Sequence, residues 1–417
     1  MIARLVLLGT MLLLPSTLAC LDLFGGLRAR HKRVIATDGH SVSDFNVLVP
    51  IWGSLRYLEN VAYLASYGSR VILCTTDQES EEFNREINEL SRRLGFQVFR
   101  ARGGRVAQGA ARATSGTVRD RIIRDAHEVV TEPFVVCIDA DTVTDRPLGE
   151  LVHTLQARRL DFCSVRLIPS NDDSLLARLQ VHEYRQAMLL RRIMPWLVSG
   201  ACHAARSDVH RQVMQQHSLF FQGNDVEVGL LADKLGYRVG HIAFDVPTTV
   251  PSTLKPWMRQ RLAWAGGEVR LFLANPQLMI RHPFWWAYGA LVTIGGFPLR
   301  WEGLVTGGYF LFAIPSIYAL LLLYVHRGHW NWLIFLMPFY SAFSSLVLTP
   351  VGLYYYVRMA WADKNAGLIR CHRVEPEDEV QRLRWLKAHR PSPYETRPPV
   401  VSGGRPPARR VAGRGSA

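Results

Sequence analysis

The chain is 417 residues long and 48% hydrophobic, with 49 Lys+Arg against 35 Asp+Glu and a net charge of +14. That length and apolar content exceed one small disulfide-stapled domain and leave room for a large core plus membrane segments. The cations gather beside apolar segments and in the tail rather than in an aromatic-interleaved stripe, which argues against a nucleic-acid groove and favours a membrane surface.

Residues 2–19 are apolar apart from Arg4 and a few small polar residues, and Arg28, Arg30, Lys32 and Arg33 follow. An excess of cations on the downstream side keeps that side cytoplasmic, so 1–25 reads as an uncleaved N-terminal membrane anchor. A cleaved signal peptide, or a lipoprotein signal ending at Cys20, is the alternative. The six cysteines (20, 74, 137, 163, 202 and 371) form no Cys-x-x-Cys pair, and several lie in apolar runs. They read as reduced, buried thiols.

From residue 44 the pattern is α/β. Strands are predicted at Val47–Ile51, Val71–Cys74, Gln97–Phe99, Phe134–Ile138 and 161–168. Helices are predicted at Leu55–Ser66, Glu79–Leu94, 148–158, Leu175–Ile193 and 226–235, with a small-residue helix after the Gly-Gly-Arg turn at 103–105. Strands alternating with helices imply βαβ units and a parallel sheet over 44–270.

Carboxylates fall where ligands bind in such sheets, outside the carboxyl ends of the strands. Asp77 ends the second strand, and Asp139-Ala140-Asp141 ends the apolar run Phe134–Ile138. Two acids side by side are costly unless a cation sits with them, so the Asp-x-Asp is a candidate divalent-metal site for a phosphorylated ligand. Ser199-Gly200-Ala201-Cys202 is small enough for close approach of a ligand or backbone. Asp225 precedes another helix, and Lys255–Glu268 is basic and aromatic, with Trp257, Arg259, Gln260, Arg261 and Trp264. Blander readings stand beside each: Asp77 as a strand-ending turn, Asp225 as a helix cap, Trp264 as a membrane-belt aromatic. Arg259 and Arg261 would then serve anionic lipid, and Arg105 would be a solvated turn residue rather than a phosphate contact.

Beyond the domain, 271–300 reads as interfacial or re-entrant, and 303–357 as transmembrane helices (303–325 and 330–357). The tail from Arg358 is basic and so cytoplasmic, which requires an even number of crossings. Residues 391–417, rich in Pro, Gly, Arg and Ser, read as a disordered basic tail.

Asp77, Asp139/Asp141, Asp225 and Gln260…Trp264, in that order before apolar spans, resemble the membrane-integrated family-2 glycosyltransferases: the cellulose, chitin, hyaluronan and poly-N-acetylglucosamine synthases. The stretch 251–269 looks most like the poly-N-acetylglucosamine synthase version of the Gln-x-x-Arg-Trp region. The resemblance implies a GT-A-like (Rossmann-like) cytoplasmic domain on a multi-pass plasma-membrane protein. It implies inverting, Mg²⁺- or Mn²⁺-dependent transfer from a UDP-sugar to a growing polysaccharide, with an export partner or homo-oligomer to complete a channel. Transfer of one sugar to a lipid acceptor and a catalytically inactive nucleotide-sugar-binding relative are the alternatives. By the same resemblance Asp77 and Asp139 face the nucleotide, Asp141 (with Asp139) holds the metal, and Asp225 is the general base. Gln260, with Arg105, Arg259 and Arg261, serves the nucleotide-sugar, and Trp264 and Gly200 serve the acceptor. Two positions depart from the family pattern: Ala263 stands where the fourth motif has Arg, and Asn224 stands where an acid usually precedes the base. Arg259, one helical turn before Ala263, lies on the same face and is the candidate replacement.

Overall fold

A computed structural model of the chain describes residues 25–102, 115–219, 224–274, 282–283, 319–320, 322–343 and 347–362. All belong to the first of the chain's two units, Met1–Arg373. The anchor through residue 24, Arg105 and the turn at 103–105, the apolar run 284–299, most of 303–325 and the tail 391–417 lie outside the described residues.

Seven strands form one sheet: β1 (Phe45–Pro50), β2 (Val71–Thr76), β3 (Gln97–Ala101), β4 (Phe134–Ile138), β5 (Phe162–Pro169), β6 (Cys202–Arg206) and β7 (Val239–Thr248). Their spatial order is β3-β2-β1-β4-β6-β5-β7. β1, β2 and β4 are buried along their whole length, which is why they read as unbroken apolar runs. The expected parallel sheet is corrected to a mixed one, because β6 runs antiparallel to both β4 and β5. β6 went unread because Cys-His-Ala-Ala-Arg carries no β-branched or alternating signal. β7, the neighbour of β5, was likewise not expected.

One face of the sheet buries Val47, Leu73, Val136, Val165 and Ala204 in the main core. The helices around the sheet are α1 (Glu81–Leu94), α2 (Ser115–Ala126), α3 (Leu148–Ala157), α4 (Leu175–Leu190), α5 (Ser207–Gln216) and α6 (Asn224–Lys234). α2 contacts β1, β2 and β3. The helix expected over Leu55–Ser66 is broken instead into 3₁₀ turns at Leu55–Tyr57 and Ala65–Arg70 around a single α turn at Val61–Leu64. The Glu59 and Asn60 amides there donate to the Ala140 carbonyl. Those donors serve the loop after β4 instead of closing helical turns.

α7 (Leu254–Ala274) carries the basic aromatic stretch. The expected span 330–357 is not one helix: its described residues form a 3₁₀ turn at Trp332–Phe335, then α8 (Met337–Phe343) and α9 (Thr349–Ala362). These segments pack on the α/β domain. Leu179 of α4 clusters with Leu322, Leu333, Ile334 and Met337. The Tyr340 hydroxyl donates to Glu183 of α4 at 2.7 Å. A Cβ added at Gly352 of α9 would lie 2.7 Å from the Ala265 Cβ of α7, so the two helices touch through small residues. Among the described residues no helix is long and apolar enough to cross a membrane. The described cysteines (74, 137, 163 and 202) are free and buried, as their apolar settings predicted.

Candidate active site

Parallel pairing brings the carboxyl ends of β1, β2 and β4 to one edge of the sheet, and the antiparallel β6 enters at that same edge. Asp77, Asp139/Asp141 and the Ser199–Ala201 approach to β6 therefore share an edge. The Asp139 amide donates to the Ala201 carbonyl at 3.0 Å, joining the Asp-x-Asp turn to the glycine stretch. Asn60 clamps the turn from the other side: its Nδ2 donates to the Asp139 carbonyl at 3.0 Å and the Thr142 carbonyl at 2.6 Å.

Arg119 of α2 is the centre of the site, and the sequence reading missed it. Its Nε donates to Asp139 Oδ1 at 2.8 Å, its Nη1 to Asp120 Oδ1 at 2.7 Å and its Nη2 to the Gly200 carbonyl at 2.5 Å. The Gly200 amide in turn donates to Asp225 Oδ2 at 2.9 Å. Arg119 and Gly200 thus connect Asp139 to the proposed base through two short links. A Cβ added at Gly200 would lie 3.7 Å from both the Arg119 Cζ and the Asp225 carboxylate, filling the space between them. A signal for Arg119 exists in the sequence. It lies on the same helical face as the buried Ile122, Ile123 and Ala126, and a charge inside an apolar stripe needs a buried partner.

The charges explain the arrangement. Burial raises the pKa of Asp139, Arg119 opposes that rise, and Asp141 and Asp225 add to it. Burial works against the Arg119 charge, but Asp139 and Asp120 outweigh it and hold the guanidinium protonated. Asp141 is exposed, and its Oδ1 accepts from Thr142 Oγ1 at 3.2 Å. Two further groups feel the Asp225 charge. Burial pushes the Arg191 guanidinium down to about 10 while Asp225 partly restores it. The buried Tyr184 hydroxyl is raised by burial, with Arg261 opposing and Glu183 and Asp225 contributing.

Asp77 is exposed at the end of β2, and its amide donates to the Ala101 carbonyl at 3.0 Å. Nearby, Glu79 ties two strand ends together, accepting from Thr76 Oγ1 at 2.6 Å and from the Gly53 amide at 2.9 Å. On α7, Arg259 is exposed and Trp264 is 41% exposed. Gln260 keeps a buried Oε1 with no hydrogen-bond partner among the described residues. Arg261 is buried: its Nη2 donates to Glu183 at 2.7 Å and to Gln180 at 3.2 Å, its guanidinium lies 4.2 Å over the Trp264 ring, and its Nε and Nη1 have no hydrogen-bond partner among the described residues. Asp139 and Asp225 are therefore joined through Arg119 and Gly200. Asp77 shares their edge, and of the α7 residues Arg261 bonds Glu183, beside Tyr184, whose hydroxyl feels both Arg261 and Asp225.

No curated protein matches the chain. Among solved structures, the mannosyltransferase PcManGT from Pyrobaculum calidifontis in complex with GDP-Man and Mn²⁺ is 15% identical, with 85% of this chain and 98% of that chain covered and a TM-score of 0.48. S. aureus TarS 1–349 in complex with UDP-GlcNAc is 12% identical over 76% of this chain and 92% of that one, at a TM-score of 0.35. Residues 134–362, more than half of the chain, match the glycosyl transferase family group 2, and that span holds Asp139, Asp141, Gly200, Asp225 and the Gln260–Trp264 segment. The chain belongs to glycosyl transferase family group 2.

Proposed function

We propose that this glycosyltransferase moves a sugar from a UDP-sugar to a growing polysaccharide, with inversion and with a divalent cation, at the cytoplasmic face of the plasma membrane. The observation that carries the reading is the link from Asp139 through Arg119 and Gly200 to Asp225, which gathers the carboxylates at one sheet edge. Asp139 keeps Oδ2 free of Arg119, Asp141 is exposed, and this all-oxygen set suits Mg²⁺ or Mn²⁺. Burial, with smaller contributions from Asp141 and Asp225, raises the pKa of Asp139 despite Arg119, and a bound cation would favour its charged form. A cation held there supplies Lewis-acid neutralisation of the departing diphosphate.

The chain's own residues do the rest. The Gly200 amide fixes the Asp225 carboxylate through Oδ2, leaving Oδ1 to take the proton of the acceptor hydroxyl. Trp264 presents an exposed ring for a sugar face, and Gln260 stands one turn before it on the same helix to serve the nucleotide-sugar. Arg259 is free to serve the diphosphate where Ala263 leaves the family's arginine out. The packing of 322–340 on α4 also revises the membrane reading. Leu322, Leu333, Ile334, Met337 and Tyr340 stay with the domain, so any membrane attachment of the flanking apolar runs meets the protein beside α4.

Transfer of a single sugar to a lipid is the second reading, favoured by Ala263. The test is UDP release from a panel of UDP-sugars in membranes with Mg²⁺ or Mn²⁺, with product length measured alongside. Asp225→Asn should lower turnover roughly 10²–10⁴-fold. No release from any UDP-sugar, or an Asp225→Asn protein as fast as wild type, sinks the proposal. A single-sugar lipid product selects the second reading.

A further inference from the structure

A cavity of about 920 Å³ lies against β5, β7 and α4, and none of Asp77, Asp139, Asp141 or Asp225 lines it. Its lining is strongly cationic. Arg30, Lys32 and Arg33 come from the segment before β1, Arg166 from β5, Arg185 and Arg192 from α4, and Arg327 from the turn before the Trp332 3₁₀ helix. Asp172 is the one carboxylate among the described lining residues. Arg166 is already paired with Asp245, and Arg30 donates to the Val325 carbonyl at 2.6 Å. Arg185 and Arg192 have no carboxylate partner among the described residues. Burial lowers the pKa of both, and Arg166 and Arg30 lower that of Arg192 further. Concentrated like charge in a concave, partly desolvated space is unfavourable until an anion fills it. Guanidinium groups match phosphate oxygens in particular, because their planar forks bind them bidentately.

We propose that this cavity is a binding site for a phosphate-bearing anion, separate from the donor site, with Arg185 and Arg192 as its principal contacts. Val34, Ile35, Leu189 and Val325 give the same cavity apolar wall, which suits an amphipathic phosphate such as a phospholipid headgroup. Its position agrees. Arg30 to Arg33 follow the apolar run 2–19, and Val325 to His329 follow the apolar run 303–325. On the membrane placement proposed above, both borders lie at headgroup depth, where basic pockets capture anionic lipid. Only the lipid source rests on that placement. The phosphate chemistry does not.

The test uses the full chain in neutral detergent with UDP and Mn²⁺ kept saturating, so that the donor site cannot report. Short-chain phosphatidylglycerol and inorganic phosphate are titrated separately, and the melting temperature is followed. Wild type should be stabilised. Phosphatidylglycerol acting at a concentration at least tenfold below that of inorganic phosphate assigns the site to a lipid headgroup. Equal or stronger action by inorganic phosphate assigns it to a soluble phosphate. In either case Arg185→Ala/Arg192→Ala should need at least tenfold more ligand, while Arg92→Ala/Arg93→Ala, two exposed cations of α1, should respond like wild type. Lys32→Ala/Arg33→Ala, at exposed positions that leave folding alone, should weaken the response in the same direction. No response of wild type to either ligand, or a wild-type response from the Arg185→Ala/Arg192→Ala protein, overturns the proposal. The readout needs no glycosyl transfer, so an inactive protein that binds phosphate counts against the proposed function and not against this site.

Discussion

Replacing Arg119 by Ala removes three donations at once, to Asp139, Asp120 and the Gly200 carbonyl. The Asp120 side chain is only 2% exposed and that of Asp139 is 34% exposed, so one carboxylate is left buried and the other half-buried without a counter-charge. Breaking a buried ion pair from one side costs about 3–5 kcal/mol. At roughly 2–4 °C per kcal/mol for a domain of this size, the melting temperature should fall by about 6–20 °C. Arg119→Lys separates charge from geometry. A point charge on a flexible stem cannot reach three acceptors in fixed directions, so Lys should recover part of the stability and little of the activity. The assay is a thermal melt with divalent-dependent UDP release on the same preparations. If Arg119→Ala melts within about 2 °C of wild type, a shift worth less than about 1 kcal/mol, and keeps its turnover, Arg119 does not hold the site together.

Three further outcomes are expected. Burial pushes His127 down to about 4 and His203 down to about 3, where His127 meets His210 at 2.6 Å and His210 meets His203 at 3.2 Å beneath the site. The unfolded chain takes up these protons near pH 6.5 and the folded one far lower, so their stabilisation is full above pH 6.5 and is lost on acidification. The loss is about 2 kcal/mol per histidine between pH 7 and pH 5, seen as a falling urea midpoint, and a flat midpoint over that range contradicts it. Gly229→Ala would put a Cβ 2.0 Å from the Trp196 carbonyl oxygen, where α6 meets the loop leading to Gly200. It should destabilise by about 1–3 kcal/mol in a denaturant titration, and an unchanged midpoint would show that the loop yields freely. Glu183→Gln takes the charge partner from Arg261 and weakens the acceptor of Tyr340. A loss of about 1.5–3 kcal/mol is expected, and no change in melting would mean that α4, α7 and α8 are held by apolar packing alone.

Much of this protein is written in local pattern. The apolar runs of β1, β2 and β4 are legible because strands buried on both faces need nothing but apolar residues. Asp77 and Asp139-Ala140-Asp141 are legible because each carboxylate directly follows such a run. The sequence by itself therefore determined the sheet edge and the acids that end its strands. Tertiary structure decided how those acids are joined. β6 inserts antiparallel between β4 and β5 on five residues without strand character, because its neighbours supply the apolar surroundings it lacks. The helix expected at Leu55–Ser66 gives way because Asn60 meets a loop some eighty residues later. Arg119 reaches Gly200 across a similar separation, and 330–340 leaves the expected span to pack on α4. The physical reason is common to all four. Helical and strand periods report which face of a segment is apolar, but the partner of a buried polar group lies far away in sequence, and only the folded chain brings the two together.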